Sequence, residues 1–112
     1  MARKSSPQLT DTHIDEIARL FGVLAEPARL RILRTLMTGP ATVTELVTET
    51  EMKQGNVSKH LSVLLRAHFV AREQEGNFAR YSIVDPRLKA LCTLMCGRVE
   101  DEARCRLREL SR

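Results

Sequence analysis

The spacing of the apolar residues changes once along the chain, and this change constrains the fold more than any other feature. Up to about residue 67, apolar side chains recur every three or four residues, which predicts helices. Residues 69–74 and 78–84 instead read as two strands around Glu75-Gly76-Asn77, which predicts a β-hairpin. Asp85-Pro86 then starts a last helix that runs to about Leu110, because Asp caps a helix and Pro fits its first turn.

Capping and turn-forming residues divide the first part of the chain into four helices. Thr12 and Asp15 form the pattern of a capping box at the start of the first helix. Pro27 suits the first turn of the second helix, and Gly39-Pro40 ends it. The third and fourth helices are predicted over about 44–50 and 54–67.

These elements predict a mainly α fold with the order ααααββα. It is a winged helix-turn-helix, in which four helices are followed by a β-hairpin wing and a long C-terminal helix. Residues 1–9 are polar and are predicted to be flexible, and residues 10–112 are predicted to form one domain with one modest core. There is no apolar signal segment and no stretch that could span a membrane, and the three cysteines are an odd number. We therefore expect a cytoplasmic protein with reduced thiols and no membrane partner.

The helix-turn-helix within residues 43–67 carries the functional signal. Val57, Leu61 and Leu64 form the apolar face of its second helix. The other face carries hydrogen-bonding side chains at the end of the helix that, in this motif, meets base edges in the major groove. These candidate DNA-binding residues are Gln54, Asn56, Ser58, Lys59 and His60.

The predicted hairpin favours the same interpretation. Its tip, Gly76-Asn77, lies beside Arg72 and Arg80, which are candidates for contacts with phosphate or with the minor groove. A solvated helix face with two solvated strand arginines is the alternative, but a hairpin directly after a helix-turn-helix is typical of a wing. The net charge of +4 is compatible with binding to phosphate. One Tyr, three Phe and no Trp argue against a stacking platform for single-stranded nucleic acid.

Three segments together resemble the ArsR/SmtB family of winged-helix repressors: EPARLRIL at 26–33, NVSKHLSVL at 56–64 and ARYSI at 79–83. The resemblance extends over about residues 14–99. It implies a homodimer formed through the first and last helices, with paired recognition helices on an inverted repeat of double-stranded operator DNA. It also implies repression of transcription that ends when an inducer binds, often a metal or metalloid and in some members a redox or sulfur signal.

Two inducer sites of that family have no counterpart in this chain. Where the family has Cys-Val-Cys-Asp-Leu in the third helix, residues 42–46 are Thr-Val-Thr-Glu-Leu, and threonine is not a thiophilic ligand. Where a last-helix site has Asp-x-His, Asp85 is followed by Arg87 at the histidine position, and no His occurs after His68. A zinc or nickel site of that kind is therefore not expected.

Cys92, Cys96 and Cys105 remain as candidate metal ligands in the last helix. Cys92 and Cys96 are four residues apart, so they share a helical face and can offer two thiolates to As(III), Sb(III), Cd(II) or Pb(II). Cys105 lies roughly 180° around a continuous helix at about 100° per residue. It joins the pair only across a bend at Gly97 or from the partner subunit. No cofactor is required, and arsenite or another thiophilic ion is the expected inducer.

Two other hypotheses for the last helix remain open. One is a thiol redox or sulfur signal, for which the nearby Arg98, Arg104 and Arg106 can lower a thiol pKa. The other is that no inducer acts through the cysteines, because Cys92 belongs to an apolar stripe suited to dimerisation.

Other functional classes are less well supported by the sequence. It has no Ser-His-acid set, no phosphate-binding glycine loop and no HExxH motif, so we do not expect an enzyme. A winged helix that binds another protein rather than DNA is the rival binding class.

Overall fold

The computed structural model describes residues 9–110, so the predicted flexible segment 1–9 lies outside the described residues except for Leu9. The winged helix-turn-helix fold is confirmed, with one additional strand that changes the order to ααβααββα. The elements are α1 (Asp11–Leu24), α2 (Pro27–Leu36), β1 (Ala41–Thr42), α3 (Val43–Thr50), α4 (Gln54–Arg66), β2 (Val70–Glu75), β3 (Phe78–Ile83) and α5 (Pro86–Leu110).

The strand β1 is the element that the sequence analysis missed. It pairs antiparallel with β3, placing Ala41 opposite Tyr81 and Thr42 opposite Arg80. The sheet therefore has three strands in the order β1-β3-β2. Two residues are too few to show an alternating pattern, which is why no strand was predicted there. As a consequence, β3 is joined directly to the segment from which α3 starts.

The strands β2 and β3 form the predicted hairpin, which we call the wing. Val70 lies opposite Ile83 at its base, and Glu75 lies opposite Phe78 at its tip. Only Gly76-Asn77 separates the strands, and Gly76 has a φ of 59°. The two-residue turns that close hairpins need a positive φ at this first position, and glycine adopts it without strain.

The helix α1 begins slightly earlier than predicted, after Thr10 as its N-cap. The Thr10 hydroxyl accepts a hydrogen bond from the His13 backbone N–H at 3.2 Å, and His13 Nδ1 accepts one from the Thr10 backbone N–H at 3.3 Å. The predicted capping box of Thr12 with Asp15 is therefore wrong. Thr12 already lies inside the helix, and a histidine rather than an acidic side chain completes the box.

The hydrophobic core lies between α2, α3, α4 and the sheet. Its most deeply buried side chains are Ile32, Leu33, Leu36, Leu46, Val57, Leu61 and Leu64. α5 contributes Leu88, whereas α1 contributes no buried residue. Both helices carry large apolar side chains that remain exposed in the single chain.

The last helix α5 matches its prediction closely. Its 25 residues give a length of about 37 Å at 1.5 Å per residue. Asp85 accepts a hydrogen bond from the backbone N–H of Arg87 at 3.0 Å, as expected of an N-cap. The helix continues without interruption through Gly97, so it does not break there. Neither α5 nor any other helix within residues 9–110 has the length and apolarity needed to cross a bilayer.

Candidate nucleic-acid interface

The turn between α3 and α4 fixes how the second helix is presented. It consists of residues 51–53, and Glu51 ends α3 in the left-handed conformation with a φ of 57°. Val57, Leu61 and Leu64 then pack into the core, as predicted. The opposite face of α4 therefore points away from the body of the protein.

Four of the five candidate residues on α4 occupy this exposed face: Gln54, Asn56, Ser58 and Lys59. Within residues 9–110, none of these four side chains has a hydrogen-bond or ion-pair partner. Ser62, one turn beyond Ser58, is exposed as well. Ser62 was not among the predicted residues, although its four-residue spacing from Ser58 places it on the same face.

The N-terminus of α4 is also free of side-chain caps. Lys53 is its N-cap, and no side chain of the described residues 9–110 accepts a hydrogen bond there. The first backbone N–H groups of the helix, at residues 54–56, lack acceptors in the preceding turn. This end therefore combines backbone donors and the positive end of the helix dipole with the polar side chains beside it.

His60 is buried, so its expected place on the exposed polar face is wrong. Its side chain is 7% exposed. Its Nδ1 accepts a hydrogen bond from Nε of Arg29 at 3.2 Å, and Nη1 of Arg29 donates to the carbonyl of Val23 at 3.2 Å. His60 therefore ties α4 to α2 and to the end of α1. Its spacing of three from Val57 and four from Leu64 is the sequence signal that places it on the buried face.

The environment of His60 favours its neutral form. Burial lowers the pKa of His60 below its usual value of 6.5, and the charges of Arg29 and Lys59 lower it further, against an opposing effect of Glu26. The neutral ring leaves Nδ1 free to accept the hydrogen bond from Arg29. His60 is thus suited to holding the helices together rather than to meeting a base.

The two wing arginines lie on opposite faces of the hairpin. Arg72 is opposite Tyr81 and Arg80 is opposite Glu73, and adjacent register positions point to alternate faces. Nη2 of Arg72 donates to Oε1 of the neutral Gln74 at 3.2 Å, and among residues 9–110 no carboxylate pairs with its charge. The structure therefore does not bring the two arginines together into one basic surface.

Arg80 lies between two carboxylates. Its Nε donates to Oε2 of Glu75 at 2.7 Å, and its Nη1 donates to Oε1 of Glu45 at 3.4 Å. The hydrogen bond and charge of Glu75, followed by the charge of Glu45, raise the pKa of Arg80. The Arg80 charge is thus already balanced within the protein.

The three candidate metal ligands of α5 are not clustered. Cys92 is half-buried against the core, Cys96 is exposed one turn later, and Cys105 is exposed. Cys105 is nine residues beyond Cys96, which is about 14 Å along the axis of a helix. Across residues 9–110, no group of three or more His, Cys, Asp or Glu side chains is arranged to hold a metal ion. A two-thiolate pair therefore fits one chain, and a three-thiolate site does not.

The arginines near these cysteines do not activate Cys92. Arg98 pairs with Glu102 at 3.0 Å, and Arg104 pairs with two acidic neighbours at 3.6 and 3.8 Å. Burial raises the pKa of Cys92, and the charge of Cys96 raises it further. For Cys92 this is opposite to the lowering on which the redox hypothesis depends.

An α3-turn-α4 unit followed directly by a β-hairpin defines the winged helix-turn-helix class of proteins. Residues 26–72 match the family model described as "Bacterial regulatory protein, arsR family". The chain belongs to the ArsR family of bacterial regulatory proteins, as its motifs predicted.

Similar proteins extend over most of the chain. It is 40% identical over 83 residues to a probable mercury resistance operon repressor of Streptomyces lividans, with 74% of this chain and 66% of that protein covered. The crystal structure of the AntR antimony-specific transcriptional repressor matches with a TM-score of 0.80 at 30% identity, covering 91% of this chain and 93% of that one. A homodimeric winged helix-turn-helix DNA-binding domain from Mycobacterium bovis matches with a TM-score of 0.77 at 26% identity, covering 92% and 94%. The chain thus spans about two thirds of the mercury repressor and nearly all of the two solved structures.

Proposed function

We propose that the protein is a homodimeric transcriptional repressor that binds an inverted repeat in double-stranded DNA, acts in the cytoplasm and is not an enzyme. The observation that carries this proposal is the exposed face of α4 formed by Gln54, Asn56, Ser58 and Lys59, whose side chains have no hydrogen-bond or ion-pair partner in the described part of the chain. Gln and Asn can read adenine through two hydrogen bonds, and Ser and Lys suit base edges or phosphate. Membership of the ArsR family supports the same function.

We assign the phosphate contacts to backbone N–H groups without an acceptor and to a cation without a carboxylate partner in the described part of the chain. The free backbone N–H groups at the start of α4 suit a phosphate oxygen. Arg72 is the wing cation without a carboxylate partner among residues 9–110. We assign the second contact to Arg72 rather than to Arg80, because a phosphate near Arg80 would also face Glu75 and Glu45.

Dimerisation through α1 and α5 is supported by their exposed apolar side chains. Ile14, Ile17 and Phe21 recur at helical spacing on α1, and Met95 and Val99 do so on α5. Isolated apolar residues are common on surfaces, but aligned stripes on two helices favour an interface. The similar M. bovis domain is described as homodimeric. Two copies would place two recognition helices about 34 Å apart, one turn of DNA.

Selection from a pool of randomised duplexes tests the DNA-binding function. The wild-type protein should enrich an inverted repeat, and its affinity should fall steeply between about 50 and 200 mM salt. Gln54→Ala and Ser58→Ala should relax the base preference within each half-site. Arg72→Gln should weaken binding to all sequences and lower the salt slope by about 1. Lys89→Gln, which removes one positive charge from the exposed surface of α5, is the matched control. Affinity that is flat with salt and with sequence would overturn the proposal.

For the inducer, we propose a soft metal or metalloid ion held by Cys92 and Cys96, with Cys105 of the partner subunit as the third ligand. The shared helical face of the first two cysteines supports this assignment. Two similar proteins are named for mercury resistance and for antimony specificity. A redox signal, or an inducer that does not use the cysteines, would replace this proposal if the ions had no effect.

Release of bound DNA distinguishes these inducers. The complex is titrated with arsenite, antimonite, cadmium, mercuric ion and peroxide, for the wild type and for Cys92→Ser, Cys96→Ser and Cys105→Ser. Loss of metal-dependent release in the first two variants supports the proposed pair. Loss in the third variant as well supports a site shared across the dimer. Release by peroxide alone supports the redox signal, and a response unchanged in all three variants excludes the cysteines.

A further inference from the structure

One carboxylate oxygen joins the wing to the start of α3. Oε1 of Glu45 accepts a hydrogen bond from the Thr42 backbone N–H at 3.0 Å and another from Nη1 of Arg80 at 3.4 Å. The Glu45 backbone N–H donates to the Thr42 hydroxyl at 3.2 Å, which completes a capping box. The cap therefore fixes the carboxylate that Arg80 contacts.

The backbone pairing of β1 with β3 also joins the wing to the start of α3. Thr42 in β1 is the register partner of Arg80 in β3. Arg80 also reaches Glu75 at 2.7 Å, near the tip of the wing. Its guanidinium thus connects both strands of the wing to the first turn of α3.

The angle between the wing and α4 depends on this connection. α3 precedes α4 across a three-residue turn and packs against it through Leu46 in the shared core. A wing held to α3 is therefore held relative to the exposed face of α4. DNA binding by both parts needs this angle, because the helix and the wing contact different grooves or strands.

We propose that Arg80 and Glu45 are positioning residues that set the angle of the wing relative to the recognition helix, and that Arg80 does not contact phosphate. This inference rests on the proposed DNA-binding function. Exposed ion pairs contribute little to folding stability, so the protein stays folded when this pair is removed and DNA affinity can be measured on folded variants.

Glu45→Gln separates this role from a phosphate contact. Glutamine at this position keeps the capping box, so α3 keeps its start. If the pair positions the wing, Glu45→Gln weakens specific DNA binding by about three- to fivefold. If Arg80 contacts phosphate instead, Glu45→Gln strengthens binding, because it removes a negative charge next to that contact. The two roles predict changes of opposite sign.

The salt dependence provides a second readout. Arg80→Gln should weaken DNA binding without changing the slope of log affinity against log salt concentration. The double variant Glu45→Gln/Arg80→Gln should bind DNA no more weakly than Arg80→Gln alone, because both changes remove the same contact. A phosphate contact would lower the slope by about 1, as expected for Arg72→Gln. Unfolding midpoints should match the wild type in all variants. Tighter binding by Glu45→Gln, a lowered slope for Arg80→Gln, or unchanged affinity in both variants would overturn the inference. Absence of specific binding by the wild type would instead overturn the proposed function.

Discussion

Adjacent residues of α4 have opposite surroundings, and the helical period decides which of them is exposed and which is buried. Lys59 is exposed, whereas His60 is buried and bonded to Arg29. Positions 57, 60, 61 and 64 lie on one face of a helix, so their spacing alone predicts that His60 faces the core. The prediction that His60 lies on the exposed face came from grouping it with other residues that can form hydrogen bonds. Arg29 lies 31 residues earlier, and no pattern within one helix identifies such a partner.

The buried His60 should make folding stability depend on pH. Its pKa is lowered from 6.5 in the folded protein, chiefly by burial and then by Arg29 and Lys59, with Glu26 opposing. The unfolded chain therefore binds the proton more readily, so the contribution of His60 to the free energy of unfolding is constant above about pH 6.5 and falls as the pH drops below it. Urea unfolding between about pH 8 and 5 measures this change.

Two variants separate the charge of His60 from its hydrogen bond. His60→Gln keeps an acceptor for Arg29 and does not titrate, so its stability should vary less with pH than that of the wild type. His60→Leu leaves Nε of Arg29 without its acceptor and should cost about 1–3 kcal/mol above about pH 6.5, where His60 of the wild type is neutral. Parallel pH profiles for the wild type and His60→Gln would contradict this assignment.

At the scale of elements, periodicity located the helices, and local hydrogen bonds set their ends. The helix α4 was predicted over about 54–67 and spans Gln54–Arg66, since several apolar residues repeat along it. The strand β1 has only two residues and exists through its pairing with β3, which no local pattern encodes.

The same limit applies to the candidate site. Exposure of Gln54 and Ser58 followed from the helical period, but the partners of Arg80 come from another strand and another helix.

The cap of α1 gives a direct test of the difference between pattern and structure. Thr10→Ala removes the hydroxyl that accepts the His13 N–H and should lower the free energy of unfolding by about 1 kcal/mol. Thr12→Ala, the matched control, alters an exposed helical residue and should change it by less than about 0.5 kcal/mol. Urea unfolding at one protein concentration compares the two. A larger loss of unfolding free energy in Thr12→Ala than in Thr10→Ala would show that Thr12 is the N-cap, as the sequence pattern predicted.

At the scale of the whole molecule, most of the core and most of the exposed large apolar side chains lie on different helices. α2, α3 and α4 supply most of the core, whereas Phe21 on α1 and Val99 on α5 are 54% and 64% exposed. A helix of about 37 Å that contributes one buried residue to its own chain gains little stability from that contact alone. A second copy covering α1 and α5 would supply the missing burial.

Phe21→Glu should therefore leave the protein monomeric if α1 and α5 form the proposed dimer interface, because it places a charge within that apolar surface. The monomer should keep its affinity for a duplex with one half-site and lose about 10²-fold or more for the full inverted repeat, since two linked sites bind with a high effective concentration. Phe78→Glu is the matched control for the oligomeric state: Phe78 is 65% exposed at the tip of the wing, outside the proposed interface, and its replacement should leave the proposed dimer intact. Sedimentation equilibrium measures the oligomeric state, and titration of the two duplexes measures both affinities.

A Phe21→Glu protein that remains dimeric would place the interface elsewhere. A monomer that binds the inverted repeat as tightly as the wild type would show that pairing through α1 and α5 does not govern DNA recognition.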